Sequence, residues 1–282
     1  MLGWFKKLYC INRNRSIHCI NCDCVNLCLL VYMMGKGFDK NMPIAMQNTV
    51  LPRFIINCSD MRTEFKENDI LEFDIILFDS LTDIYVQFIY VFETLGRIGL
   101  GQVKAKYKLL FVKDENGDVV FNNNLYIKNP SIKNLYIYIS SRLHYLSNNP
   151  HNICKMSILS PTVLNTKNEN ETDKRLVFIN AESLSHTLKD RLNSLNILQK
   201  EDEEKLKELS CDTKIITMIN MKLAKTKYYV QEQRECVIIP YFTGYMLLDA
   251  ERTHSYLEYF LACEKLCIGQ NIFLGFGRYI MG

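Results

Sequence analysis

Apolar and polar positions alternate along this chain with two different periods. Pro52 to Cys58 is a short apolar run, and Asp69 to Phe78 carries Ile70, Phe73, Ile75 and Leu77; both read as strands. From about Thr82 the spacing becomes helical, with Ile84, Phe88, Val91, Phe92 and Leu95 recurring, Ser80 or Thr82 placed to cap the start and Gly96 to end it. A glycine turn, Gly99-Leu100-Gly101, then feeds a strand expected from Ala105 to Val112. The Glu115-Asn116-Gly117-Asp118 turn leads that strand back into Val119 to Phe121. Residues 122–150 are rich in Asn and Tyr and contain the expected domain boundary, near Ser147-Asn148-Asn149-Pro150.

A similar set follows. Lys155 to Leu159 is a strand running into Ser160-Pro161-Thr162, and Asn165 to Thr172 is a polar loop. Ala181 to Leu198 places Leu184, Leu188, Leu192 and Leu195 on one helical face, and Lys200 to Leu209 is a charged helix whose Glu and Lys meet solvent. Residues 228–248 suggest a hairpin through Pro240 and Gly244; Thr253 to Leu266 is a last helix, followed by a glycine loop and a final strand. The first fifty residues open on a short amphipathic stretch, Leu2, Phe5, Leu8 and Tyr9. This order predicts an α+β protein of two units with antiparallel sheets, residues 1–150 and 151–282.

Composition narrows the class. A chain of 282 residues with 48% hydrophobic and 23% charged residues builds a real core and is not disordered. Its net charge is only +3, so any nucleic-acid surface must come from local clustering. The longest apolar run, Val25 to Met34, is interrupted by Asn26 and too short to span a bilayer, while Asp23 and the nearby cysteines do not suit a signal peptide. A cytoplasmic protein without membrane contact is expected, with its eleven cysteines mostly reduced.

Two basic clusters stand out. Lys104, Lys106 and Lys108 alternate along the expected strand and would share one face. Lys222, Lys225, Lys227 and Arg234 form the second cluster, beside Tyr228 and Tyr229. Lysines track phosphates and tyrosines stack on unpaired bases. In the series Cys19-x2-Cys22-x-Cys24-x3-Cys28, with Cys10 and His18 nearby, four thiolates could hold a structural zinc ion, or the cysteines pack reduced against the first helix. Near the end, Gly269 and the run Gly275-Phe276-Gly277-Arg278 either cradle an anion with bare backbone N–H groups or form a bulge before an edge strand. On the first reading, Gly275→Ala and Gly277→Ala would weaken RNA binding more than folding.

These motifs together resemble the CRISPR-associated endoribonucleases of the RAMP superfamily that process precursor guide RNA, in the bacterial branch with a C-terminal glycine-rich loop. Leu95-Gly96-Arg97-Ile98-Gly99-Leu100-Gly101-Gln102-Val103-Lys104-Ala105-Lys106-Tyr107 resembles the family's glycine turn and basic strand. Leu159-Ser160-Pro161-Thr162-Val163-Leu164 resembles its Thr-Pro-Thr-like step, and Leu266 through Tyr279 its last helix end, glycine turn and strand. The family's first unit also holds a cysteine cluster, as Cys10, Cys19, Cys22, Cys24 and Cys28 do here. The resemblance implies two tandem ferredoxin-like (RNA-recognition-like) units facing each other across a basic cleft. It implies CRISPR repeat RNA or guide RNA as partner, along with other CRISPR-associated effector subunits.

The implied chemistry needs no cofactor: the RNA's own 2′-OH attacks the adjacent phosphate and leaves a 2′,3′-cyclic phosphate. The protein aligns the groups, moves two protons and stabilises the phosphorane. His18, near the first helix, and His254, early in the last one and expected to reach the glycine loop, are the candidate acid–base residues, with Lys7 and Tyr9 beside His18. The chain departs from the family in two places. Cys267 and Gln270 stand where family members carry His and Lys. Met1-Leu2-Gly3-Trp4-Phe5 starts almost inside the first helix, so the first unit is expected to lack its first strand. A non-catalytic guide-RNA-binding subunit of an interference complex is the alternative.

Overall fold

The computed structural model describes residues 5, 8–10, 22–35, 51–60, 62, 64–100, 103–148, 153–164, 179–230 and 235–282. His18, Cys19, Lys7, Gly101, Arg234 and the polar loop at 165–172 lie outside the described residues.

In the first half, α1 (Leu29–Met34) buries Leu30, Met33 and Met34. Strands β1 (Phe54–Asn57) and β2 (Asp74–Leu77) pair antiparallel, Phe54 opposite Leu77. A 3₁₀ turn, Asp79–Ile84, leads into α2 (Tyr85–Ile98). Phe88, Val91 and Leu95 of α2 face inward and, with Phe5, Met33, Phe54 and Leu81, build the first core. The helix does not end at Gly96. That glycine lies under the chain at Tyr107, where a Cβ would come within 2.4 Å of a backbone oxygen, and α2 stops instead at Gly99, φ +101°.

The expected strand over Ala105–Val112 is mostly absent. Ala105 makes a single bridge to Leu100, and 106–110 is irregular. The cause is Tyr107, whose N–H donates to Gly96 O and whose hydroxyl donates to Phe92 O at 2.7 Å, tying this stretch to α2. Lys104, Lys106 and Lys108 are exposed but do not share a strand face. Pairing resumes in a three-stranded sheet of β3 (Phe111–Lys113), β4 (Val119–Asn122) and β5 (Leu125–Tyr126). Its first turn is held by the Asp114 carboxylate, which accepts the N–H groups of Asn116 and Asp118.

Helix α3 (Leu135–Asn148) was not expected from the sequence. Its Leu135, Ile139, Leu143 and Leu146 pack against the second core and not against the sheets of the first half.

The second half consists of β6 (Ile153–Thr162), α4 (Ala181–Ser194), α5 (Lys200–Cys211), β7 (Ile216–Val230), β8 (Glu235–Asp249), α6 (Ala250–His254), α7 (Leu257–Leu266) and β9 (Tyr279–Met281). The strands lie in the order β7-β8-β6-β9, every neighbour antiparallel, which is the βαββαβ arrangement of a ferredoxin-like unit. Met156, Met246, Leu248, Tyr279 and Met281 belong to the core of this sheet, where Leu184, Leu188 and Leu192 of α4 and Phe260, Leu261 and Leu266 of α7 cover them. Asn180 and Ser183 cap α4 reciprocally. In the first half the described residues form separate two- and three-stranded sheets.

The hairpin differs from its expected position. Its strands are Ile216–Val230 and Glu235–Asp249, so Pro240 and Gly244 lie inside β8, opposite Lys225 and Met221. β6 pairs with β8 only as far as Phe242; beyond it β7 and β8 continue alone for seven residue pairs, Ala224↔Tyr241 to Val230↔Glu235. This arm projects about 20 Å past the sheet. Among the described residues no helix is long and apolar enough to cross a membrane.

Candidate nucleic-acid interface

At the end of the sheet where β6 finishes, the chain after α7 folds back in a glycine loop. Gly269 and Gly277 have φ of +80° and +84°, and a Cβ would stand 2.0 Å from Val163 O and 1.9 Å from Ile268 O. Several of the loop's backbone donors are already engaged. Ile268 N–H donates to Gly277 O, Gly277 N–H to Pro161 O, Gln270 N–H to Val163 O and Gly275 N–H to Ile272 O, all within 2.9 Å. The expectation that Gly275 and Gly277 offer bare N–H groups to a phosphate is therefore not met. Close approach of backbone to backbone is what requires glycine here, and folding is what an alanine at Gly277 would damage first. Arg278 follows, its N–H on the Ser160 hydroxyl at 2.9 Å.

The loop braces the arm. Phe276 packs with Val163 and Ile239, and its ring meets Tyr241 edge-on at 6.0 Å. Lys225 and Lys227, both exposed, lie on this arm, and Lys222 lies where it leaves the sheet. Strand alternation sends Lys225 and Lys227 to one face and Lys222 to the other. The structure thus brings Gly269, Gly275, Gly277, Arg278 and these three lysines to one end of one sheet. Lys104, Lys106 and Lys108 flank Tyr107, beyond the end of α2.

His254 is not at this end. It is exposed on α6, just after Asp249, which pairs with the first residue of β6, whereas the glycine loop meets the last. The ten residues of α7 alone separate it from Cys267 by about 15 Å. Cys267 is 2% exposed, and burial pushes its thiol up to about 11; Cys263 beside it rises to about 12 by the same cause. Neither thiol is a nucleophile near neutral pH. Tyr9 packs against the first core, and burial raises its phenol.

Of the cysteine series, Cys22, Cys24 and Cys28 are among the described residues and Cys19 is not. No three His, Cys, Asp or Glu side chains among the described residues could hold an ion, and Cys28 packs against the first core, while Cys22 hydrogen-bonds to Cys24.

Three further features have no signal in the sequence. Arg191 is fully buried on α4, donating to Leu266 O at 2.8 Å and Pro52 O at 2.7 Å, with its guanidinium over Phe78. It ties the start of the glycine loop to the residue before Arg53. Burial pulls it down to about 10, which still leaves a cation at pH 7. A polar cluster surrounds Arg53. The Tyr32 hydroxyl donates to Asp79 at 2.8 Å and meets the Ser80 hydroxyl, while Arg53 pairs with Asp79 at 3.3 Å and lies over the Tyr32 ring. Asp79 holds φ +55°, an uncommon value outside glycine. Finally, Asn57 and Asn271 keep buried side-chain oxygens without a hydrogen-bond partner among the described residues, on β1 and in the loop segment that packs against it.

Fold and charge together define a mixed α/β protein whose second half is a ferredoxin-like unit with a basic hairpin. Its fold is that of Cas6 proteins: the product complex of Thermus thermophilus Cas6 (TTHB231) superimposes with a TM-score of 0.52 at 13% identity, covering 82% of both chains. The Cas6-RT-Cas1–Cas2 complex and a partial form of it each match with a TM-score of 0.51 at 12% identity over 82% of this chain. This chain spans only 39% of the protein in the partial complex and 24% of that in the other. A family model, AF_1859_N, described as an N-terminal domain, matches residues 1–134. No curated protein sequence matches.

Proposed function

We propose that this chain is a metal-independent endoribonuclease that binds CRISPR repeat RNA and cuts it by 2′-OH attack, leaving a 2′,3′-cyclic phosphate end. The observation that carries the reading is the convergence of the glycine loop, Arg278 and the lysine-bearing arm at one end of a ferredoxin-like sheet. The fold shared with a Cas6 product complex supports it. The arm's lysines meet phosphates, and Arg278 holds the scissile phosphate against a developing charge. His18 keeps the acid–base role that the family resemblance implies. On this reading the units are residues 1–150 and 151–282, with α3, at the end of the first, packing on the second core.

The alternative is a guide-RNA-binding subunit without nuclease activity. The buried Cys267 and the distant His254, which leave the glycine loop without a described histidine, favour it. The test is incubation with the host's repeat RNA in excess EDTA. One internal cut ending in a cyclic phosphate is expected. Tight binding with the RNA left whole would transfer the reading to the binding subunit.

A further inference from the structure

Among the described residues, no helix covers the second face of the second-half sheet. Strand pairing puts Lys155 and Ser157 of β6, Thr243, Tyr245 and Leu247 of β8, Met218, Asn220 and Lys222 of β7 and Ile280 of β9 on it, because directly paired residues share a side, and Leu159 of β6 follows at the start of an irregular stretch. Asn220, Tyr245, Ser157 and Ile280 form one row across all four strands. Leu159, Met218 and Ile280 are 54%, 51% and 42% exposed, and Lys155, Asn220 and Lys222 are exposed as well. Tyr245 stands half-buried on a central strand, with the Lys155 ammonium over its ring at 4.5 Å.

We infer that this face binds an unpaired stretch of RNA, with one base stacked on Tyr245 and Lys155 and Lys222 on the flanking phosphates. Three observations select that occupant. An aromatic ring on a central strand, level with its neighbours, offers a platform that any base can cover. The exposed apolar side chains beside it match base faces. Charge decides between RNA and a protein partner: β6, β7 and β9 contain no Asp or Glu, and β8 has them only at its two ends, Glu235 and Asp249. Asp249 is already engaged as the cap of α6, accepting Arg252 N–H at 2.9 Å. A face with two lysines and no carboxylate among them suits a polyanion. The Lys155 ammonium holds the stacking position in the free protein and moves to a phosphate when a base arrives.

This site lies beside the interface that the proposed function uses and extends that reading, since it would hold the single-stranded flank of the repeat. It can nevertheless fail or succeed separately. The probe is a fluorescent 12-nucleotide oligouridine, compared with a blunt, fully paired RNA hairpin. For Tyr245→Ala we expect oligouridine binding weakened about tenfold or more, Tyr245→Phe within about twofold of the native protein, and hairpin binding unchanged. Lys155→Ala, at an exposed position that folding does not need, should weaken oligouridine binding and flatten its salt dependence. Were Tyr245→Ala to misfold, Lys155→Ala would carry the test alone. Unchanged oligouridine affinity in the folded variants overturns the inference, and means that the face meets a protein or nothing. Loss of oligouridine binding in these variants of a protein that never cuts repeat RNA would refute the nuclease reading and leave this one standing.

Discussion

Two glycines with the same backbone angle show how much a residue's surroundings decide. Gly117 and Gly277 both hold φ +84°, but a Cβ at Gly117 meets nothing within 4 Å, while at Gly277 it meets Ile268 O at 1.9 Å. Gly117→Ala should therefore cost about 1 kcal/mol, the left-handed penalty alone. Gly277→Ala should cost several times as much, or prevent folding, because the loop must open to admit the methyl group. Urea denaturation of the two variants measures the difference; equal losses would mean that the loop is loose. Gly277 is conspicuous in the sequence, since a glycine beside an aromatic near a strand is visible in any reading. Its purpose is not visible there, because the carbonyl that makes glycine necessary belongs to Ile268, across a turn. Arg191 is less legible still: a lone basic residue in a helix reads as a surface charge until Pro52 and Leu266 are seen to present their carbonyls to it.

Among the elements, those with one clean period were legible and those with mixed signals were not. Leu184, Leu188 and Leu192 announced α4, and they line its buried face. Helix α3 begins Leu135-Tyr136-Ile137-Tyr138-Ile139, a run of aromatic and β-branched residues that imitates a strand. That run hides the helical spacing of the stripe that packs on the second core, Leu135, Ile139, Leu143 and Leu146. The arm was misplaced for a related reason. Pro240 and Gly244 look like turn residues, but Pro240 lies beyond Phe242, the last residue of β8 that faces β6, where β8 is an edge and a missing N–H is tolerated. If the arm meets phosphates, replacing Lys222, Lys225 and Lys227 together by alanine should weaken RNA binding and lower its salt slope by about 2, at roughly 0.7 per lost single-strand contact. Binding titrations at several salt concentrations measure this. An unchanged slope would remove the arm from the interface.

For the whole molecule, the order of motifs was legible and the joints between distant segments were not. The ferredoxin-like topology expected of the second half is the one observed. The contacts that unite the chain come from residues distant in sequence. Glu264 of α7 accepts from Tyr138 and Arg142 of α3 and from Met281 N–H of β9, and Arg191 links α4 to the segment before β1. Arg191→Ala should leave the carbonyls of Pro52 and Leu266 without partners and destabilise the protein by about 2–4 kcal/mol in urea denaturation. A change below about 0.5 kcal/mol would show that the joint is not needed.

The position of β6 also sets the tempo of folding. It is the first strand of its sheet in the chain, yet its partners β8 and β9 arrive much later, Met156 pairing with Met246 and Met281. The β7–β8 hairpin is local and closes on the microsecond scale, but β6 must wait for a long loop to close on either side of it. The second half should therefore pass through a hairpin-first stage and complete its sheet slowly, as proteins dominated by distant pairings do. Until then the edge of β8 from Phe242 to Asp249 keeps unpaired N–H and C=O groups, which makes the interval before β6 docks the one in which the chain is most prone to pair with copies of itself.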